Sequence, residues 1–260
     1  MSKKYVGKSN DGQSLGDRCK EYEQSTEQRL IAEDYIVIRL DGHKFSKFTK
    51  GLNRPVDTAF QSTMVEVTTA LCKEFQCIVG YTQSDEITLV LPPQVVKGNN
   101  HQMYGGRVQK LVSLTAGFAS ATFNKLFTHP INKDKLGWFD ARTYSVSTKE
   151  EAFNHIMWRG RDFVKNSKNM FAQTYCSHKS LLNLNSQEQI NFCLSETGND
   201  WSLQNDQSKY GTIIKKVLYD KTTEEYGTVQ RSKYISLGIQ LSTYSQELVD
   251  RLFSKYYEKG

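Results

Sequence analysis

The 260-residue sequence lacks several features that define large classes of protein. No apolar run reaches the about 18 residues that a membrane-spanning helix needs. The basic N-terminus "MSKKYVGKSNDG" lacks the apolar stretch of a signal peptide. The five cysteines are an odd number without a CxxC pair, and the histidines are scattered, so neither a disulfide framework nor a zinc site is expected. These absences predict a protein without membrane association, cytoplasmic or organellar, with reduced thiols.

The composition that remains is that of a folded domain. Hydrophobic residues make up 38% of the chain and aromatic residues 12%, which indicates a globular rather than a disordered protein. The length of 260 residues suits one large domain or two small ones. The net charge of +6 is modest, so it allows a polyanionic partner but does not require one.

The apolar patterns predict alternating strands and helices. A β-branched strand over residues 35–40 is followed by a helix capped by Asp57, then by a hairpin made of "CIVGY" and "ITLVL". A long helix after Asn99 and Asn100, with Tyr104 on its apolar face, leads to a strand in "GWFDARTYSV". Capping boxes at Ser147 and Ser186 open two more helices, the first reaching residue 175. Strands over 211–219 and 227–241 and a helix over 246–257 end the chain.

This order predicts an α+β protein built on a split βαβ, ferredoxin-like unit, in which long helices cover one face of an antiparallel sheet. We divide the chain into an N-terminal segment (1–34), a core (35–145) and a C-terminal helical and β extension (146–260). The extension is expected to pack with the core as one unit.

Two acids are expected at one edge of this sheet. Asp41 ends the first strand and Asp85 lies in the hairpin turn "GYTQSDEITLV". Paired carboxylates repel each other unless a cation lies between them, and Mg²⁺ prefers such oxygen ligands. By itself, an acidic hairpin turn is more commonly a solvent-exposed turn than a set of metal ligands. The loop after Asp41 carries cations that suit a triphosphate, although such a loop is commonly plain surface.

At these residues the sequence resembles a known family. The motifs "RLDGHKFSKFTKGLNRPVD" and "YTQSDE" are similar to those of the tRNA-histidine guanylyltransferases, which extend RNA in the 3′-to-5′ direction. Weaker similarity runs through "GGRVQKLVS", "FDARTY", "WRGRDFVKNS" and "ETGNDW", and "SLGDRCKEYE" resembles the bacterial and organellar branch.

The resemblance implies a palm like that of 5′-to-3′ polymerases, with two Mg²⁺ held by Asp41, Asp85 and the carbonyl of Gly42. Asp41 and Asp85 would be the catalytic residues, and Glu86 would support them. The resemblance also implies nucleotide contacts from the residues Gly42, His43, Lys44, Phe45, Ser46, Arg54, Asp57, Ser84, Arg107 and Lys110. The expected RNA contacts are Arg142, Arg159, Asp162, Lys165, Asn166, Lys179 and Lys209.

The family chemistry implied is two-step transfer. ATP activates the 5′-phosphate of a tRNA, and the 3′-hydroxyl of an incoming GTP or other nucleoside triphosphate then attacks it. The resemblance further implies a homotetramer.

One departure from the family bears on the substrate. Many eukaryotic members carry H-I-N-N after the W-R pair, whereas "GRDFVKNS" stands here, with Val164 in place of the histidine. This favours template-dependent repair of 5′-truncated tRNAs over addition of the extra guanylate to tRNA-His, which remains the alternative. More distant alternatives are a palm-type nucleotide cyclase and a non-catalytic RNA-binding member.

Overall fold

A computed structural model of the chain describes residues 12–94, 101–223, 227–241 and 244–258. Within them, the helices are α1 (Leu15–Gln24), α2 (Phe45–Phe48), α3 (Thr58–Glu74), α4 (Val108–Leu126), α5 (Lys149–Tyr175), α6 (Ser186–Thr197), α7 (Asp206–Tyr210) and α8 (Gln246–Phe253). The strands are β1 (Tyr35–Gly42), β2 (Val79–Gln83), β3 (Glu86–Leu91), β4 (Phe139–Val146), β5 (Thr212–Thr223) and β6 (Gly227–Leu237). None of the described helices is long and apolar enough to cross a membrane.

The six strands form one antiparallel sheet in the order β4-β1-β3-β2-β5-β6. The first four strands have the 4-1-3-2 order of a split βαβ unit, which confirms the predicted ferredoxin-like core. The long strands β5 and β6 of the C-terminal extension continue this sheet beyond β2.

Different helices cover the two faces of the sheet. The alternating residues Ile36, Ile38 and Leu40 of β1 pack with α3 and α4, the two helices of the predicted core. The opposite face, which carries Val37, packs with α5 and α8 from the extension. Because both faces of its centre are covered, every residue of β2 and β3 is buried.

The helix starts differ by one residue from those predicted. Thr148, rather than Ser147, caps α5 by accepting a hydrogen bond from the Glu151 N–H at 3.1 Å. Asn185, rather than Ser186, caps α6 and forms a capping box with Glu188. In both places two neighbouring polar residues match the capping pattern, and the local sequence does not distinguish them.

The predicted start of the long helix α4 is wrong in a different way. The helix begins at Val108, and Tyr104, predicted on its apolar face, lies in a 3₁₀ turn with φ of 53°. Asn99 and Asn100, the predicted helix start, lie outside the described residues. The C-terminal helix α8 ends at Phe253, four residues before the predicted end.

Candidate active site

The two predicted acids meet at one end of the sheet. Asp41 at the end of β1 is the register partner of Glu86, the first residue of β3. The Gly42 N–H donates a hydrogen bond of 3.0 Å to the carbonyl of Asp85. Asp41 and Asp85 line the same cleft. The Gly42–Asp85 hydrogen bond therefore links the end of β1 to the hairpin turn at this cleft.

The hairpin turn that carries Asp85 is a strained two-residue connection. Gln83 and Glu86 pair across it, and Ser84 adopts the left-handed region with φ of 48°. Such a conformation is uncommon for serine and is maintained by the strands on either side. The Ser84 hydroxyl lies 3.1 Å from Oδ1 of Asp85, to which it donates.

The electrostatics of the cleft favour a cation. Burial raises the pKa of the Asp85 carboxyl, and the neighbouring Asp41 and Glu86 carboxylates raise it further. Hydrogen bonds from its own backbone N–H and from Ser84 offset part of this rise in the pKa. A positive charge between the carboxylates would remove the repulsion.

The donor set fits a magnesium ion. Carboxylate oxygens of Asp41 and Asp85 and the nearby Gly42 carbonyl are hard oxygen ligands, which Mg²⁺ prefers. Among the described residues no group of three or more His, Cys, Asp or Glu side chains could hold a metal. Mg²⁺ commonly takes only one or two protein carboxylates and completes its shell with phosphates and water, so two acids suffice.

Arg159 lies under the cleft and holds Glu86. Its guanidinium donates from Nε to Oε1 at 2.5 Å and from Nη2 to Oε2 at 2.8 Å, and from Nη1 to Asp162 at 2.8 Å. The Arg159 side chain is only 15% exposed. This position agrees with a supporting role for Glu86, but it does not support the prediction that Arg159 and Asp162 bind RNA directly.

The loop after Asp41 is held by an aromatic cluster. The Phe45 ring is buried 5.0 Å from Phe48 and 5.3 Å from Phe123, measured between ring centroids. A Cβ at Gly42 would lie 2.5 Å from this ring, so the close packing requires glycine there. Any nucleotide contact of Phe45 therefore involves its backbone.

The other residues of this loop face outward. His43, Lys44 and Ser46 are exposed, and the His43 N–H donates to the Trp138 carbonyl at 2.8 Å. Lys44, with φ of 55°, precedes the short helix α2, whose first turn has no side-chain cap. The loop thus presents exposed cations and backbone N–H groups from a fixed position.

Asp57 orders the next part of the loop and caps α3. It accepts hydrogen bonds from the Phe60 N–H at 3.0 Å and from the backbone and side chain of Asn53. Burial acts to raise the pKa of Asp57, but these hydrogen bonds outweigh it and the pKa is lowered. Both roles expected for Asp57, cap and loop organiser, are present.

A second, more apolar cavity adjoins the acidic cleft. Leu52, Phe60 and Phe163 line it together with Arg54, and it shares Ser84 with the cleft. It is shaped by the loop that Asp57 orders.

Arg107 and Lys110 lie away from these acids. Arg107 precedes α4, and its backbone forms a β-bridge with that of Arg29, which lies before the start of β1. Asp41 lies at the opposite end of β1. The five residue steps from Ile36 to Asp41 alone span about 17 Å. Within one chain this placement contradicts the predicted contact with triphosphates at Asp41 and Asp85.

The remaining predicted RNA contacts have different surroundings. Arg142, Lys165 and Lys179 are exposed, and Asn166 lines the acidic cleft. Lys209 is held by Asp206 at 3.3 Å and by the Ser202 carbonyl at 3.0 Å, with its side chain only 13% exposed. RNA contacts of the exposed residues remain predictions, whereas the ammonium group of Lys209 is occupied by contacts within the chain.

Sequence analysis missed two residues beside the site. Asp140 on β4 is the register partner of Asp41, and Arg39 is the partner of Arg142. Alternation along "FDARTYSV" and "YIVIRLDG" would have placed all four on one face, had the pairing of these two strands been assumed.

The fold and the paired strand-end acids define a class, a ferredoxin-like domain with a two-carboxylate site at one edge of the sheet. A family model described as "Thg1: tRNAHis guanylyltransferase" matches residues 16–147. The chain belongs to this family and is a nucleotidyltransferase.

Similar proteins come from several sources. An uncharacterized protein of Acanthamoeba polyphaga mimivirus is 32% identical over 267 residues, covering 94% of this chain and 90% of that protein. A probable tRNA(His) guanylyltransferase of Drosophila melanogaster is 26% identical over 227 residues, covering 84% and 74%. The solved structure of a bacterial tRNA(His) guanylyltransferase-like protein in complex with ATP superimposes with a TM-score of 0.80 at 25% identity, covering 93% and 99%.

Proposed function

We propose that the protein adds nucleotides to the 5′ end of tRNA in the 3′-to-5′ direction, directed by the opposing base, and so repairs 5′-truncated tRNAs. The convergence of Asp41 and Asp85 beside a basic, exposed loop carries this proposal. The solved structures of bacterial guanylyltransferase-like proteins in complex with ATP and with GTP support nucleotides as substrates.

The substrates are proposed to occupy adjoining regions. Asp41, Asp85 and the Gly42 carbonyl would hold two Mg²⁺, and Lys44 and Arg54 would neutralise the triphosphate of the incoming nucleotide. Its base enters the apolar cavity beside Ser84. When bound, the metal lowers the pKa of the attacking hydroxyl and neutralises charge that develops on phosphorus.

The transfer proceeds in two steps, activation of the RNA end and attack by the nucleotide. The RNA 5′-phosphate first attacks ATP, which forms an adenylylated 5′ end and releases pyrophosphate. The 3′-hydroxyl of the incoming nucleotide then forms a bond to that phosphorus while AMP leaves, and the hydroxyl proton passes to solvent. The chain's residues fix the two substrates in line, and Glu86 and Arg159 keep the acidic cleft in shape.

The side chains of α5 that line the cleft favour repair over tRNA-His guanylylation. Phe163, Asn166 and Met170 line it, and no histidine of the H-I-N-N type lies in this stretch. The guanylylation activity of the named relatives remains the alternative, and a homotetramer remains a prediction.

An incorporation assay tests the proposal. The wild-type protein with Mg²⁺, ATP and a labelled tRNA lacking its first nucleotide should add the nucleotide that pairs with the opposing base. Changing the opposing base should change the nucleotide added. Addition of guanylate regardless of that base would support tRNA-His guanylylation instead, and a cyclic product from nucleotide alone would exclude the polymerase activity.

Asp85→Asn should reduce incorporation at least about a thousandfold, because it removes a metal ligand and charge stabilisation. The variant should fold normally, since burial already disfavours the charged form of Asp85. The exposed Asp134→Asn is the matched control and should retain full activity. Removal of Mg²⁺ by chelation should have the same effect as Asp85→Asn, and full activity in either case would contradict the metal assignment.

A further inference from the structure

A row of cations lies next to the acidic row on the same face of the sheet. In the register of β4, β1 and β3, Asp140, Asp41 and Glu86 are partners, and two residues along the strands Arg142 and Arg39 are partners. The two rows are separated by about 7 Å along the strands. Both point to the face that α5 covers.

The two arginines have only one carboxylate partner between them among the described residues. Like charges directly opposite each other on neighbouring strands repel. Arg142, 56% exposed, has Asp140 at 3.6 Å as its partner. Arg39 makes no ion pair with any described residue, and its buried Nε has no hydrogen-bond partner there. An anion at this place would relieve the repulsion, and guanidinium groups bind phosphate well.

An exposed aromatic side chain lies over the arginine row. The guanidinium carbon of Arg39 lies 5.8 Å from the Trp158 ring centroid, and that of Arg159 lies 4.7 Å from it. The Trp158 side chain on α5 is nevertheless 48% exposed. Farther from the acids, the Tyr144 hydroxyl on β4 lies 3.1 Å from Nδ1 of His155 on α5. The surface formed by Arg39, Arg142 and Trp158, between β4 and α5, is here called the groove.

The groove and the apolar cavity lie on opposite sides of the acids. The cavity lies toward β2 and the loop of residues 49–57, whereas Arg39, Arg142 and Trp158 lie toward the edge strand β4. The attacking hydroxyl of one substrate must be held against the phosphorus of the other, so the two substrates must occupy separate, adjoining regions beside the acids. With the incoming nucleotide in the cavity, the groove is left for the other substrate.

We propose that Trp158, Arg39 and Arg142 form a binding site for the 5′-terminal nucleotide of the acceptor RNA. The terminal base stacks on Trp158, and the two arginines bind its phosphates, which directs the 5′-phosphate toward Asp41 and Asp85. Stacking of an aromatic side chain on an exposed base face and arginine contacts to phosphate are common means of binding RNA. This inference rests on the proposed function and assigns the position of its RNA substrate.

Direct binding tests the site without requiring catalysis. The probe is a tRNA lacking its first nucleotide, with a 5′-monophosphate and a 3′ fluorophore, titrated in Mg²⁺ without nucleotide. Trp158→Leu and Arg142→Gln should each weaken binding about tenfold, whereas Trp158→Phe should remain within about threefold of wild type. Arg231→Gln, which removes the same charge from the exposed strand β6, should bind like wild type.

Two further measurements separate stacking from general charge. Wild type should bind 5′-phosphorylated RNA more tightly than 5′-hydroxyl RNA, and Arg142→Gln should lose this preference. Arg142→Gln should also reduce the slope of log Kd against log salt by about 1. In turnover, Trp158→Leu should raise the KM for RNA about tenfold and change kcat less than about twofold.

Several results would overturn the site. The proposal fails if Trp158→Leu and Arg142→Gln, with unchanged thermal midpoints, bind RNA like wild type. It also fails if they lose affinity for free ATP or GTP but keep affinity for RNA, since the groove would then bind the activating nucleotide. Failure of the proposed function is a different result: wild type binds the RNA in this groove but incorporates nothing.

Discussion

Glu86 and Arg159 are 73 residues apart in the sequence and form a bidentate ion pair beneath the acidic cleft. A buried pair of this kind is costly to break from one side, because the remaining charge loses its partner in a poorly solvated place. Arg159→Met would leave Glu86 unpaired beside Asp41 and Asp85. The pair therefore contributes to the stability of the fold and also holds Glu86 in place beside Asp41 and Asp85.

We expect Arg159→Met to lower the free energy of unfolding by about 3 kcal/mol and Glu86→Gln by about 2 kcal/mol, since Asp162 remains for Arg159. The double variant should lose at least about 1 kcal/mol less than the sum. Urea unfolding of the four proteins measures this coupling. The exposed Asp140→Asn, which breaks the 3.6 Å contact with Arg142, is the control and should change stability by less than about 0.5 kcal/mol. Strict additivity at Glu86 and Arg159 would contradict the ion pair.

At the scale of elements, the helix caps show where local sequence is ambiguous. Both "NSQE" and "SQEQ" resemble a capping box, and they differ by one residue in where they start α6. The Asn185 side chain accepts from the Gln187 and Glu188 N–H groups, each at 3.0 Å, and Glu188 accepts from the Asn185 N–H at 2.8 Å. The structure therefore has the first alternative, with the cap at Asn185.

Asn185→Ala should destabilise the protein by about 1 kcal/mol, because two N–H groups of the first turn lose their acceptor. Ser186→Ala, the matched control at the first helical residue, should cost less than about 0.3 kcal/mol. Chemical denaturation measures both, and amide exchange should show the first turn of α6 opening more readily in Asn185→Ala alone. Equal effects at the two positions would contradict the Asn185 cap, and a larger loss in Ser186→Ala would place the cap at Ser186.

At the scale of the whole molecule, Lys215 joins the sheet to the C-terminal segment. This lysine of β5 is fully buried and donates hydrogen bonds to the carbonyls of Ile78 and Ser254. Burial lowers its pKa from the usual 10.5 to about 8. The protonated lysine therefore favours the unfolded chain, and its unfavourable contribution to stability disappears as the pH rises from about 8 to 10.5.

Relative to Lys215→Met, which has no titrating group there, wild type should gain up to about 3 kcal/mol of stability between pH 8 and 10.5. Unfolding of both proteins by urea at several pH values in this range gives the difference. Comparing the two proteins cancels the opposing effect of the buried Cys77 thiol, whose pKa is raised by burial. A difference independent of pH would show that Lys215 titrates normally in the folded protein.

The sequence by itself determined the ferredoxin-like core and the acid pair. The apolar patterns, the Asp57 cap and the hairpin pattern are local signals that the sequence carries. The order of the elements then restricts the topology to few possibilities. The stretches "RLDG" and "YTQSDE" place Asp41 at a strand end and Asp85 in a turn, and the 4-1-3-2 strand order then brings them together.

Only the tertiary structure decided what the charged residues do. Arg159, Lys209 and Lys215 look in the sequence like scattered surface cations, yet the first pairs with Glu86, the second is held by Asp206, and the third is buried. Arg39 and Arg142 became neighbours only through the pairing of β1 with β4, which are separated by 96 residues. The physical reason is that the role of a charge depends on burial and on partners from distant elements, which no local pattern specifies.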